Sequence, residues 1–129
     1  NLTLESAINF VLNCSSIMLG GEIFVPKLKS YNIIQLCNII NPEAEIEITG
    51  FRPGEKLHEC MINSVEISKC YECDNFFIVM SSTLLDFDVI YNKYLLNYKS
   101  SNIKKLESKE EYISGGDMLT NEELKFLLK

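Results

Sequence analysis

The sequence predicts an α/β domain, and three observations carry that prediction. Helix-period and strand-like apolar segments alternate from Leu4 to about Met61, and one more strand candidate, Phe76–Met80, follows. A chain of 129 residues is long enough to bury roughly two thirds of its unfolded surface. Hydrophobic residues make up 47% and charged residues 23%, the balance of an ordinary folded domain rather than a disordered chain.

Thr3 is a cap for a first helix, and Glu5 suits the positive end of its dipole. Leu4, Ile8, Val11, Ser15 and Met18 recur at helical spacing, with Ala7, Leu12 and Cys14 beside them, so they mark its apolar face, and Gly20-Gly21 ends it. Glu22–Pro26 reads as a short strand that stops at a residue unable to donate to a ladder. Ser30 is the expected cap of a second helix, with Ile33, Ile34, Leu36, Cys37 and Ile40 on its apolar face and Asn41-Pro42 as its stop. Ala44–Thr49 alternates strictly and predicts a strand with one wet face. Pro53 suits the first turn of a third helix running to about Met61. Val65–Asp74 reads as a polar connection. Leu84–Tyr98 reads as a helix, and the charged stretch Ser100–Glu111 as mobile. Thr120-Asn121-Glu122-Glu123 is a capping box ahead of a last helix.

Twelve basic against eighteen acidic residues leave a net charge of -6. That argues against a general nucleic-acid binder, which spreads Lys and Arg over one face. A local anion site built on one Arg remains compatible with the overall sign. No run approaches the ~18 to 20 apolar residues of a membrane span, and the first residues lack the basic-then-apolar order of a signal peptide. The chain opens on Asn1 rather than Met, which suggests a processed end or a piece of something longer.

Five cysteines, an odd number, read as reduced thiols of a cytoplasmic protein. Cys70 and Cys73 form a CxxC, which prompts a zinc or redox reading. A structural zinc site needs about four ligands, yet there is no second CxxC and His58 is the only histidine. The six glycines fit neither GxGxxG nor a P-loop. No Tyr is followed four positions later by Lys, and there is no GxSxG. No complete catalytic set is present.

One segment carries chemistry: Gly50-Phe51-Arg52-Pro53-Gly54-Glu55-Lys56-Leu57-His58-Glu59. Arg52 precedes Pro53, so its backbone is biased toward an extended form. Its guanidinium fork suits two phosphate oxygens at once, and Gly54 allows a ligand close to the backbone. Glu55 is able to accept two hydrogen bonds, as a ribose diol would offer. An Arg for a diphosphate and an acid for a ribose describe a handle for a nucleoside diphosphate. The competing reading is a surface turn with a weak Arg–Glu pair.

Two stretches together, Gly20-Gly21-Glu22-Ile23-Phe24-Val25-Pro26-Lys27 and Ile46 through Arg52-Pro53-Gly54-Glu55-Lys56-Leu57-His58-Glu59, closely resemble the C-terminal region of the inverting UDP-N-acetylglucosamine 4,6-dehydratases. These belong to the polysaccharide-biosynthesis branch of the extended short-chain dehydrogenase/reductases. The resemblance spans about Leu2 to Met80; Tyr112–Leu124 is similar to the family's closing segment more loosely. It implies the substrate-binding C-terminal lobe of that fold, with residues 1–80 as the UDP-sugar-binding lobe and 81–129 as a C-terminal extension. It also implies that the NADP-binding Rossmann domain and the acid–base groups lie outside this chain, upstream or on a split partner chain. The intact family enzyme uses NADP to form a 4-keto-6-deoxy sugar nucleotide with inversion at C5.

Carried over residue by residue, Arg52 holds the diphosphate and Glu55 the ribose hydroxyls. Val25, Pro26 and Lys27 lie near the nucleotide, and His58 orients or packs rather than catalyses. The implied partner is a UDP-sugar, and family members are commonly oligomeric. A reading from another class makes the chain a stand-alone, non-catalytic binding or interaction module derived from that family. A zinc-binding adaptor, resting on Cys70 and Cys73, is the third.

Overall fold

Phe76-Phe77-Ile78-Val79 offers no polar side chain for a wet face, so a strand built from it must be covered on both sides. The computed structural model, which describes residues 2–81, 92, 94, 103–107 and 110–128, meets that requirement. The four residues form strand β4 (Phe76–Val79), and all are buried. β4 pairs antiparallel with β1 (Ile23–Pro26) on one side and with β3 (Cys70–Glu72) on the other. Among the described residues this gives a four-stranded sheet in the order β1-β4-β3-β5, with β5 at Lys104–Lys105. A second sheet pairs β2 (Cys60–Ile62) with β6 (Tyr112–Ile113).

Alternation along the strands sorts the core into two layers. Phe24, Tyr71, Phe76 and Ile78 face one way, where Phe10 and Ile17 of helix α1 (Leu4–Ile17) pack with buried Tyr94 and Ile103. Val25, Cys70, Phe77 and Val79 face the other way, with Ile62, with Ile67 of helix α3 (Ser64–Ile67), and with Leu106 and Tyr112. Edge-on rings tie the first layer: Phe76 meets Phe10 at 6.0 Å and Phe24 at 5.8 Å between centroids.

The described residues gather into two units, each discontinuous in sequence. One comprises Leu2–Lys27 and Met61–Tyr112, and holds the four-stranded sheet. The other comprises Leu28–Cys60 and Ile113–Lys129, and holds helices α2 (Ile33–Ile40) and α4 (Asn121–Leu127).

The caps agree with the sequence at Thr3, whose hydroxyl accepts from the Ser6 N–H at 3.2 Å, and at the Thr120–Glu123 box. Four expectations change. The second helix is capped by Asn32, which accepts from the N–H groups of Ile34 and Gln35, because Asn32 abuts the first helical residue while the backbone of Ser30 is taken by the C-terminal segment. Ala44–Thr49 forms no strand, since alternation needs a neighbouring strand to pair with and the described residues supply none. Pro53 opens a turn rather than a helix, because Gly54 takes φ +88°, outside the helical region. Val65–Asp74 contains α3, with a capping box from Asn63 to Glu66, followed by β3.

The first helix packs through the flank of the expected face, at Ala7 and Cys14, together with Phe10 and Ile17, rather than through its centre. Ala7, Phe10, Cys14 and Ile17 are half-buried, whereas Leu4, Ile8, Val11 and Met18 are exposed. In the charged stretch, Ile103 is buried beside β5. The helix expected over Leu84–Tyr98 lies outside the described residues except at Asn92 and Tyr94, which are helical.

Candidate functional site

Arg52-Pro53-Gly54-Glu55 closes on itself. Proline second and a positive-φ glycine third is the pattern of a type II turn. The Glu55 N–H donates to the Arg52 carbonyl at 3.0 Å, the bond that defines such a turn. In return the Arg52 N–H donates to Glu55 Oε2 at 2.8 Å. The Glu55 carboxylate thus braces the backbone under Arg52. The guanidinium itself is exposed and meets no ion-pair or hydrogen-bond partner among the described residues. A planar fork of donors presented from a braced turn is able to take two oxygens of a phosphate group.

The segment leaving the turn is fastened further on. Glu59 N–H donates to Ser114 Oγ at 2.8 Å, and the Ser114 N–H donates to the Glu59 carbonyl at 2.8 Å. His58 lies against Gly115: a Cβ built there would fall 2.7 Å from His58 Cε1. The Gly115 N–H donates in turn to Ser30 Oγ at 2.9 Å. The sequence placed Ser114 and Gly115 in the loosely similar Tyr112–Leu124 segment but gave them no role at the site; the Ser-Gly-Gly run was the available signal.

Val25 and Pro26 end β1, in the other unit, and Lys27 follows them. Val25 is buried in the second core layer. Lys27 has partners of its own: Nζ lies 2.8 Å from Glu72 Oε1 and 5.0 Å above the Phe77 ring, while its N–H donates to the Asn75 carbonyl. Glu72 also meets Lys104 at 3.2 Å. The Lys27 hydrogen bond outweighs burial and holds the Glu72 carboxyl below the ordinary carboxylate value, with Lys104 assisting.

The Gly20-Gly21 turn, the one double glycine ahead of a strand, fails as a dinucleotide cradle. Such a cradle runs from strand to helix and offers free N–H groups to a pyrophosphate. Here the chain runs from helix to strand, and the Glu22 carboxylate itself accepts from the Leu19 N–H. Burial would raise the Glu22 carboxyl, but Tyr94 and that backbone N–H hold it below its usual value. An acid in that position opposes a phosphate.

Burial pushes the Cys70 thiol up to about 11 and the Cys73 thiol up to about 12. Zinc ligation and redox exchange both need the thiolate, so this environment disfavours them. The described residues contain no cluster of three His, Cys, Asp or Glu placed to hold a metal. No helix among them is long and apolar enough to cross a membrane.

The family described as polysaccharide biosynthesis protein matches residues 1–81, a stretch that includes both the Gly20–Lys27 segment and the Arg52–Glu55 turn. The chain is 36% identical over 104 residues to a UDP-N-acetylglucosamine 4,6-dehydratase (inverting) of Campylobacter jejuni, a match covering 80% of this chain and 31% of that protein. It is 29% identical over 132 residues to a UDP-glucose 4-epimerase of Rickettsia bellii, covering 98% of this chain and 37% of the relative. The chain therefore spans about a third of the length of these relatives. Its fold matches the X-ray structure of Pen from Bacillus thuringiensis with a TM-score of 0.75 at 24% identity, over 98% of this chain and 36% of that one. The family match over residues 1–81, which takes in the braced arginine turn, places this chain in the polysaccharide biosynthesis protein family.

Proposed function

We propose that the chain is the UDP-sugar-binding C-terminal part of a C5-inverting UDP-N-acetylglucosamine 4,6-dehydratase. The observation that carries this reading is the Arg52–Glu55 turn, in which the backbone is closed by reciprocal bonds and the guanidinium points to no internal carboxylate among the described residues. The relatives support it: the dehydratase and the epimerase differ in reaction, and a UDP-hexose is what their names share. Arg52 holds the diphosphate and Glu55 the ribose hydroxyls. Val25, Pro26 and Lys27 border the nucleotide. The dehydratase is preferred over the epimerase because its identity is higher, 36% against 29%.

On this reading residues 1–80 form the UDP-sugar lobe and 81–129 its extension, and this chain's contribution is affinity and placement rather than proton transfer. NADP belongs to the complete enzyme. The described residues do not fit that cofactor, given the Glu22-blocked glycine turn, so no step through it is assigned to them. The complete enzyme works in the cytoplasm, joined to an upstream Rossmann domain or to a partner chain that carries one.

The test is a calorimetric titration of UDP into the full chain and its Arg52 variants. Charge-assisted bonds to a phosphate are worth about 1.5 to 3 kcal/mol, so Arg52→Ala should weaken binding roughly 10- to 100-fold. Arg52→Lys keeps the charge but loses the fork, and recovers part of the loss. An Arg52→Ala variant that binds UDP as well as the parent would return Arg52 to an ordinary surface turn.

A further inference from the structure

All ten residues from Gly50 to Glu59 are exposed and none is helix or strand, so the turn that presents Arg52 owes its placement to anchors elsewhere. The anchor the structure shows is the segment after β6. Ser114 exchanges two hydrogen bonds with Glu59, one through its hydroxyl and one through its N–H, both 2.8 Å long. Gly115 fills the next position at φ +95°, where an L side chain is strained, and its bare Cα lets the His58 ring sit against it.

The segment is itself pinned on its far side. Gly115 N–H bonds Ser30 Oγ, Ser30 N–H bonds the Asp117 carbonyl at 2.7 Å, and Leu119 N–H bonds the Ser30 carbonyl at 2.8 Å. A strip of chain distant in sequence is therefore fixed between the Ser30 segment and the exit of the Arg52 turn.

We propose that Ser114 and Gly115 are positioning residues for UDP recognition, holding the Arg52–Glu55 turn in place through Glu59 and His58. The inference rests on the UDP-binding reading above and extends the site to a segment well beyond the stretch that the family resemblance covers closely. Neither residue touches the ligand.

The experiment uses the full chain, amide and His58 ring NMR signals, and a UDP titration. In Gly115→Ala the new methyl displaces His58, which lines an open cleft of about 440 Å³ and so has room to move. The amide signals of Arg52 and Glu55 should then shift, and UDP binding should weaken about tenfold. Gly116→Ala is the control, because a Cβ there meets nothing closer than 3.9 Å; it should leave both readouts unchanged. In the double variant Gly115→Ala/His58→Ala the clash with the ring is gone while the backbone strain at φ +95° stays, so the Arg52 and Glu55 amides should move back toward their positions in His58→Ala alone. Arg52 and Glu55 amides that stay put in Gly115→Ala while the His58 ring signals move would overturn the proposal.

Should Gly115→Ala not fold, Ser114→Ala gives the same decision, since it deletes just the acceptor for the Glu59 N–H. Shifted Arg52 and Glu55 amides support the inference, and unmoved ones refute it. The amide readout needs no ligand. An Arg52→Ala variant that keeps its UDP affinity would sink the UDP reading by itself, and the amides would still decide whether the segment positions the turn.

Discussion

Glu55 has two tasks to reconcile at one carboxylate. One oxygen accepts the Arg52 N–H at 2.8 Å, and the proposed ribose contact falls to the rest of the group. Glu55→Gln keeps an oxygen acceptor for the turn, so UDP affinity should fall no more than about threefold; Glu55→Ala removes brace and acceptor together and should cost about tenfold. Calorimetry on the two variants separates the tasks, and equal losses would mean that the brace carries no weight. Lys27 and Glu72 give a second test at this scale. The Lys27 hydrogen bond lowers the Glu72 carboxyl from its ordinary 4.5. A lowered folded-state value stabilises the protein above about pH 4.5, and this contribution is lost as pH falls through the folded value. Both side chains keep some solvent contact, at 31% and 25% exposure, so the contribution is at most about 1 kcal/mol. Urea unfolding of the chain and of Glu72→Gln should differ by that amount near neutral pH and converge in acid. A gap that persists at low pH would assign the effect to packing.

Among the elements, β4 and α1 lie at opposite ends of the burial range. Ile78 is 1% exposed at the centre of β4, with Phe24 and Tyr71 beside it in register. Ile78→Ala removes packed methyl groups from a layer that has little room to collapse, and should cost roughly 2 to 5 kcal/mol. Val11 on α1 is 63% exposed, so Val11→Ser should change stability by no more than about 0.5 kcal/mol. Thermal melts of the two variants check the ranking; a large loss at Val11 would mean that something covers that face. The sequence located both elements but not this contrast. Periodicity marks apolar stripes without saying which one is covered, and on α1 the more apolar stripe, Leu4-Ile8-Val11-Met18, is the exposed one.

Taken as a whole, the chain leaves a large apolar surface in water. Leu4 is 78% exposed on α1, and Ile33 and Ile40 are 68% and 64% exposed on α2. Exposed apolar faces on each of these helices favour association. Sedimentation of the purified chain should therefore show mass rising with concentration. The double substitution Ile8→Lys/Val11→Lys should reduce that rise, because burying an unpaired ammonium group against a second copy is costly. Concentration-independent monomer would show that these stripes are too dispersed to drive self-contact.

The sequence by itself determined what depends on neighbours along the chain: the Thr3 and Thr120 caps, strands β1 and β4, and the Arg52-Pro53-Gly54-Glu55 turn residues that lie inside the family match. Local chemistry is enough for the caps, because a cap acts within three or four residues; it was misread at Pro53, where the neighbouring Gly54 at φ +88° makes a turn instead of a helix. Tertiary structure decided everything that needs a distant partner. Ala44–Thr49 has the alternation of a strand but no strand to pair with among the described residues. Lys27 is drawn to Glu72, 45 positions away, and Glu59 to Ser114, 55 positions away. No periodicity encodes such pairings, since what selects them is the geometry of the folded chain.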